Sequence, residues 1–176
     1  YSYYATSWAV DRSRFFSNWY YDIYTTGTTA DMIDHVAVRN TTFNNTAYYY
    51  AVYLGYVYQG IVENNTFNNS DNGVYAYQSS HLLIQDNLFN YSRTCAIRGD
   101  YSDYLRIINN TVLYGPCAID WYYSSYWTLR SNNVSNMTQA FRHTVAASSA
   151  TSWFVHDMDT SNMLNGYPVM YIVNAT

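Results

Sequence analysis

Residues 61–70 read IVENNTFNNS, and similar stretches recur along the chain. The copies IVENNTF, LIQDNLF, RIINNTV and TLRSNNV begin at residues 61, 83, 106 and 128. A fixed period in the range of about 20 to 50 residues indicates a protein built from stacked repeats. Each copy has an asparagine at its fifth position, and the aligned column, spaced by 22 to 24 residues, is Thr41, Asn65, Asn87, Asn110, Asn132 and His156.

The apolar positions follow the same period, and neighbouring positions differ in polarity as the two faces of a strand should. A second register repeats every 22 residues, with GVYA at 73–76, CAIR at 95–98, CAID at 117–120 and QAFR at 139–142. Two positions after the column lie Phe43, Phe67, Phe89, Val112, Val134 and Met158, and three positions before it lie Val38, Val62, Ile84, Ile107, Leu129 and Trp153.

A coil of 22 to 24 residues leaves no room for a helix, and the Asn, Gly, Asp and Ser residues between its apolar runs favour turns. The sequence therefore predicts an all-β fold, a right-handed parallel β-helix of about six coils stacked about 4.8 Å apart. We expect this domain to span residues 31–176. Residues 1–30 are expected to form either a helical cap or a degenerate first coil, since FFSNW at 15–19 resembles NNTF.

The four copies resemble the β-helix repeats of the pectate-lyase superfamily, over roughly residues 31–165. The resemblance implies the fold and says little about activity. Enzymes of that superfamily commonly act on acidic polysaccharides from one face of the β-helix, so two hypotheses stay open. The first is a non-catalytic surface protein. The alternative is a secreted carbohydrate-active β-helix, either a polysaccharide lyase or hydrolase or a polysaccharide-binding module.

The repeated asparagines predict an internal ladder. They should lie where the chain leaves a strand, at a point where Asn tolerates the left-handed turn conformation. Stacked coil upon coil, their side-chain amides can bond to each other as they do in cross-β stacks. We interpret this asparagine ladder as structural, and it comprises Asn65, Asn87, Asn110 and Asn132.

A different set of asparagines lies in Asn-x-Ser/Thr sequons, in excess of what composition alone predicts. Strand alternation turns many of them outward. N-linked sugar would keep a surface with few charges hydrated, and it requires an extracellular or cell-surface location. The alternative is that Asn and Thr simply suit turns and strand edges. The predicted glycosylation sites are Asn40, Asn44, Asn64, Asn68, Asn90, Asn109, Asn133, Asn136 and Asn174.

The composition limits the kinds of partner that the protein can bind. Only 20 residues are charged, Lys is absent, and Tyr and Asn are abundant at 23 and 19 residues. A formal charge of −4 without a basic cluster argues against a nucleic-acid partner, and no stretch reads as a membrane span. We expect covalently attached N-glycans, no cofactor and self-association into a polymer. The apolar end YPVMYIVNAT, at 167–176, suggests contact with another subunit.

Cys95 and Cys117 occupy equivalent positions on neighbouring coils. Stacked in register, their Cα atoms would lie within the usual range for a disulfide bond. We expect a disulfide, which would indicate an oxidising compartment, and the alternative is two small buried thiols. Neither Cys nor His has the spacing of a metal site, so no metal is expected.

Catalysis is not expected. Arg98, Asp120 and Arg142 recur every 22 residues and should form an exposed column of ion pairs, worth roughly 0 to 1 kcal/mol each. Asp100, Asp103 and Asp120 are the only carboxylates clustered as a lyase or glycosidase would need. The numerous tyrosines predict aromatic columns, with any exposed remainder marking an assembly surface. The sequence thus predicts an extracellular structural protein that builds a surface layer or filament.

Overall fold

A computed structural model of the chain describes residues 7–145 and 155–169, and all of the regular structure in these ranges is β-strand. In chain order the strands are β1 (Trp8–Asp11), β2 (Arg14–Phe16), β3 (Tyr21–Thr26), β4 (Ile33–Arg39), β5 (Thr42–Asn44), β6 (Tyr50–Gly55), β7 (Val57–Glu63), β8 (Thr66–Asn68), β9 (Asn72–Tyr77), β10 (Ser80–Gln85), β11 (Leu88–Asn90), β12 (Cys95–Asp100), β13 (Arg106–Ile108), β14 (Thr111–Tyr122), β15 (Thr128–Arg130), β16 (Asn133–Thr144), β17 (Asp157–Met158), β18 (Met163–Leu164) and β19 (Tyr167–Pro168).

Each coil contributes one strand to each of three faces. The first face is the seven-stranded sheet β1-β4-β7-β10-β13-β15-β17. β2, β5, β8 and β11 form the second face and β3, β6, β9 and β12 the third, while β14 is long enough to pair with both β11 and β12. Among the described strands, every pairing between successive coils is parallel, and the single antiparallel pair joins β18 to β19. The predicted all-β parallel β-helix is confirmed.

The interior is filled by apolar residues in register. Phe43 stacks on Phe67 and Phe67 on Phe89, with ring centroids 4.7 and 4.6 Å apart and planes within 5°. Val112 and Val134 continue this column on the next two coils. All five side chains are almost completely buried, and burying one such side chain contributes about 1.5 to 3 kcal/mol.

The asparagine ladder occupies the corner between the first and second faces. Asn65, Asn87, Asn110 and Asn132 are at most 2% exposed. The Nδ2 group of Asn87 donates to Asn110 Oδ1 at 3.0 Å and to the Val62 carbonyl at 2.9 Å. The backbone N–H of each ladder residue also donates to Oδ1 of the next coil, so every amide satisfies backbone groups as well as its neighbour.

The expected left-handed conformation belongs to a different residue. Positive φ angles near 50° are found at the position before each ladder residue, and the ladder asparagines are not in that conformation. The turn is therefore made one residue earlier, and it aims the following side chain inward. The residues with this conformation are Asn40, Asn64, Asp86, Asn109 and Ser131.

A second polar column, at the corner after the third face, was not predicted. The backbone N–H of Ser79 donates to Ser102 Oγ at 3.0 Å, and that of Ser102 donates to Ser124 Oγ at 2.9 Å. All three serines are buried, and each follows a residue with positive φ. The signal was available in the sequence, because a Ser recurs after Gln78, Tyr101 and Tyr123 at the period of the coils.

The register predicted for the last coil is wrong. Asn162, and not His156, continues the ladder: Asn132 Nδ2 donates to Asn162 Oδ1 at 2.9 Å. Met158 pairs with Leu129, so it belongs to the apolar column before the ladder, where the constant period predicts Trp153. Trp153 itself lies outside the described residues. This coil is longer than the others because additional residues follow Thr144, and a constant period could not anticipate them.

The first coil is made of strands. β1, β2 and β3 pair in register with β4, β5 and β6, so residues 8–26 have the arrangement of a coil and not of a helical cap. Phe15 stacks on Phe43 at 5.2 Å, which places FFSNW in the same column as the later copies of NNTF.

Candidate functional site

Three predicted glycosylation sites lie at the outer edge of the ladder corner. Asn40, Asn64 and Asn109 are exposed and occupy its positive-φ positions. Asn40 Nδ2 donates to Asp11 Oδ1 at 2.8 Å, and Asn109 Nδ2 donates to Asp86 Oδ1. These bonds lie at the surface, where solvent competes for the same groups.

A second set of sequon asparagines forms a column on the second face. Asn44, Asn68 and Asn90 are directly paired across β5, β8 and β11, and all three are half-buried. Asn68 Nδ2 donates to Asn44 Oδ1 at 2.9 Å. A glycan on Asn68 would replace one of its two Nδ2 hydrogens, and it would be crowded by the neighbouring side chains about 4.8 Å away on the adjacent coils.

The remaining sequons lie toward the end of the chain. Asn133 and Asn136 are exposed on β16, and Asn136 has a positive φ angle. Asn174 lies outside the described residues.

The two cysteines are in register but are not joined by a disulfide. Cys95 pairs with Cys117 across β12 and β14, and both are free and buried, in contrast to the expected bond. Each thiol influences the other: the neighbouring sulfur raises the pKa of Cys95 and lowers that of Cys117. Adjacent coils thus place the two cysteines side by side without the covalent step, and both can remain reduced.

The charged column is less exposed than predicted: its central member Asp120 is buried, and Arg98 and Arg142 are half-buried. Asp120 is 3% exposed, and its Oδ2 accepts from Arg142 Nη2 at 2.6 Å and lies 3.8 Å from Arg98 Nε. Arg98 also donates to both carboxylate oxygens of Asp100, at 2.9 and 2.8 Å. The Tyr75 hydroxyl donates to Asp100 Oδ2, and burial together with this carboxylate raises the pKa of Tyr75.

Each of the carboxylates considered for catalysis has a structural partner, and Asp100 and Asp120 share Arg98. Asp100 is held by Arg98, and Asp120 by Arg142. Asp103 Oδ1 accepts from the backbone N–H of Ser125 at 2.6 Å, and burial raises the pKa of Asp103. The three acidic groups are thus engaged in structural contacts.

Tyrosines form stacked columns on the third face and at the corner before it. Tyr50 stacks on Tyr75 at 4.4 Å between ring centroids, and Tyr24 stacks on Tyr53 at 4.8 Å. Burial and the neighbouring tyrosines raise the pKa of Tyr53 to about 12. A more exposed set lines a depression of about 480 Å³ at the corner before this face, and it consists of Trp19, Tyr20, Tyr48 and Tyr49.

The fold and these columns define a parallel β-helix protein built on amide and serine ladders. A family model described as "Periplasmic copper-binding protein (NosD)" matches residues 2–156. The chain therefore belongs to this family. No curated protein and no solved structure is similar enough to the chain to count as a match. The periplasm lies outside the cytoplasm, which agrees with the expected location. No described helix could span a membrane.

Proposed function

We propose that the chain is a non-enzymatic structural protein outside the cytoplasm, whose β-helices stack end to end into a filament or surface layer. The observation that carries the proposal is the in-register stacking of the coils, because a further coil can be added to such a stack in the same register. Among the described residues, β1, β2 and β3 each pair with a strand on one side only, so a coil added to this stack could pair with them. Unpaired strand edges offer backbone donors and acceptors to another chain.

Apolar side chains at both ends of the described solenoid support the same arrangement. Phe15 and Val10 on the first coil, and Ala140 and Phe141 on β16, pack against the core yet are only partly buried. Stacking the first coil of one copy on the last described coil of the next, formed by β17, β18 and the second half of β16, would cover these side chains and continue the apolar columns. Such a contact is head to tail, and head-to-tail contacts that do not close into a ring produce filaments.

Electron microscopy and light scattering over a range of protein concentrations test the proposal. We expect Phe15→Lys, which places a charge in the stacking surface, to abolish filaments. Phe16→Lys is the matched control, because Phe16 is the next residue on β2 and its side chain is 59% exposed. Circular dichroism would check that both variants stay folded. Monomers at every concentration, or equal loss of assembly in both variants, would contradict the proposal.

We further propose that N-glycans cover part of the lateral surface. Exposed sequon asparagines on several coils support this, together with the absence of Lys. Sugar would hydrate a surface with few charges and would restrict association to the ends of the solenoid. Intact mass before and after glycan removal, measured on protein from its native source, tests this part. An unmodified mass would contradict it.

The family description also names copper, and the described residues provide a test of fit. Copper sites are built from imidazole and soft sulfur ligands. No group of three or more His, Cys, Asp or Glu residues that could hold a metal ion occurs within residues 7–145 and 155–169. Cys95 and Cys117 offer two sulfur donors side by side, but both are buried. No further His, Cys, Asp or Glu groups with them among the described residues, so we derive no copper chemistry from this pair.

A further inference from the structure

A continuous series of tyrosine rings runs along the third face and its corners, from the first coil to the fourth. Successive rings are in contact, with centroids 5.4 to 6.4 Å apart. Three coil steps of about 4.8 Å separate its two ends. We call this series the tyrosine path, and its members in spatial order are Tyr20, Tyr49, Tyr21, Tyr53, Tyr75, Tyr77 and Tyr101.

The tyrosine path is exposed at its ends and covered in its middle. Tyr20 is 61% exposed and Tyr101 47%, whereas Tyr75 is 9% exposed. A dissolved oxidant therefore reaches the two ends more easily than the central ring. Electron tunnelling falls steeply with distance, so rings in contact exchange an electron far more readily than rings separated by other side chains.

The buried member of the path has a partner that can take its proton. A phenol that loses an electron becomes a strong acid, and it must release its hydroxyl proton to form a stable neutral radical. Burial keeps water, the usual acceptor, away from Tyr75. Its hydroxyl donates to Asp100 Oδ2 at 2.9 Å, so a carboxylate occupies the place where the proton would go.

The charges around Tyr75 balance. The Arg98 guanidinium carbon lies 5.6 Å from the centroid of the Tyr75 ring, and a cation at this place alone would oppose oxidation of the ring. Arg98 is paired with Asp100 at 2.8 Å, and Arg142 with Asp120 at 2.6 Å. Two carboxylates thus compensate two guanidinium groups, and the radical itself is neutral once its proton has moved.

We propose that the tyrosine path carries oxidising equivalents between coils, from one exposed end to the other. A one-electron oxidant takes an electron from the first phenol, whose proton leaves to water. Each following phenol then gives an electron to the radical before it and releases its own proton, while that radical takes up a proton and becomes a phenol again. At Tyr75 the proton passes to Asp100 and returns when the electron is replaced.

The proposed path lies within one copy of the chain, so the inference does not depend on end-to-end stacking or on glycans. No bond between heavy atoms forms or breaks along the path. The net result is loss of one electron and one proton at the far end, in place of the end that met the oxidant. The path would thus move oxidative damage away from the place where the oxidant acts.

Light-triggered oxidation of a labelled protein tests the proposal. A ruthenium polypyridyl maleimide is attached to the Ser17→Cys variant, since Ser17 is exposed on the first coil while Cys95 and Cys117 are buried. Illumination with a cobalt(III) quencher generates the oxidant, a nitroso spin trap captures tyrosyl radicals, and peptide mass spectrometry locates the adducts. We expect an adduct at Tyr101. Tyr104 is the internal control, because it follows the same strand and is also 47% exposed.

No ring contact among the described residues joins Tyr104 to the path, since its ring contacts are with His81 and Tyr126. Its adduct therefore measures oxidation that does not travel along the path.

Two conservative variants interrupt the path. Tyr77→Phe keeps the ring but removes the oxidisable phenol between Tyr75 and Tyr101, and Tyr75→Phe does the same at the buried member. We expect each to reduce the Tyr101 adduct to the level at Tyr104. Tyr91→Phe is the matched control outside the path and should leave the Tyr101 adduct unchanged. Circular dichroism checks that all variants are folded.

A Tyr101 adduct that exceeds the Tyr104 adduct and is lost in both interrupting variants would support the proposal. Equal adducts at Tyr101 and Tyr104 in the protein with an intact path would overturn it, because exposure alone would then explain the labelling. Adducts confined to the first two coils, or a Tyr101 adduct that persists in Tyr77→Phe and Tyr75→Phe, would overturn it as well.

Discussion

The Oδ1 atom of Asn87 accepts two hydrogen bonds from Asn65 on the preceding coil, one from its Nδ2 group and one from its backbone N–H, both at 3.0 Å. One amide oxygen therefore satisfies a side-chain donor and a main-chain donor at the same buried corner. Because Asn87 Nδ2 in turn donates to Asn110 and to the Val62 carbonyl, removing this residue would affect three coils.

We expect Asn87→Ala to lower the free energy of unfolding by about 3 to 5 kcal/mol, because it leaves several buried groups without partners. Asn87→Asp should be at least as harmful at neutral pH, since a carboxylate has no N–H to donate. Urea denaturation measures both changes. Asn133→Ala is the control: Asn133 is exposed beside the ladder, and its loss should stay within about 0.5 kcal/mol. Equal effects at both positions would contradict the structural role of the ladder.

Burial should separate two ion pairs that look alike in sequence. In the pair with Arg142, the Asp120 side chain is 4% exposed. In the pair with Arg39, the Glu63 side chain is 21% exposed and that of Arg39 is 38% exposed. We expect Asp120→Asn to destabilise the fold by about 2 kcal/mol, since two arginines lose a buried counter-charge. Glu63→Gln should cost less than about 1 kcal/mol. Chemical denaturation at low salt compares them, and a smaller loss for Asp120→Asn would refute this order.

His143 should make the fold sensitive to acid. Burial lowers the pKa of His143 in the folded state, while Asp120 acts weakly in the opposite direction. The unfolded chain therefore binds a proton more readily, and stability falls as the pH drops below about 6.5. We expect His143→Gln to reduce the loss of stability between pH 7.5 and pH 5.5, measured by urea midpoints. An unchanged pH dependence in this variant would assign the effect to other groups.

The buried thiols should be protected from reagents while the protein is folded. We expect neither Cys95 nor Cys117 to react with iodoacetamide in native buffer, and both to react after denaturation without reductant. Mass spectrometry counts the modified residues. Two unreactive cysteines after denaturation would instead reveal the disulfide that the sequence suggested, and Cys95→Ala would then expose Cys117 as a single reactive thiol.

If the chain is glycosylated, occupancy should follow exposure. We expect glycans at Asn64 and Asn133, which are exposed and point away from the stacked amides. Asn68 should remain unmodified because it is half-buried between its paired neighbours Asn44 and Asn90. Glycopeptide mapping of native protein measures each site, with Asn64→Gln as the control for assignment. Full occupancy of Asn68 together with an empty Asn64 would contradict the expected pattern.

The period of the sequence determined the architecture. Side chains that recur every 22 to 24 residues must lie above one another once the coils stack, so the pairing of Phe43 with Phe67 and of Asn65 with Asn87 was readable in advance. The failure at His156 has the same origin, because a longer last coil breaks the spacing while Asn162 keeps the contact.

Only the tertiary structure decided how deeply each column lies and what it contacts. The alternation of residues along a strand distinguishes inward-facing from outward-facing side chains. It cannot reveal that Asp120 is covered by neighbouring coils or that the two cysteines are not joined by a disulfide. A groove on the outer surface of the first face was equally invisible, since the residues that line it, from Trp8 to Arg106, come from coils far apart in sequence. Periodicity fixes which residues stack, whereas burial and charge neighbours arise only when whole faces and corners pack together.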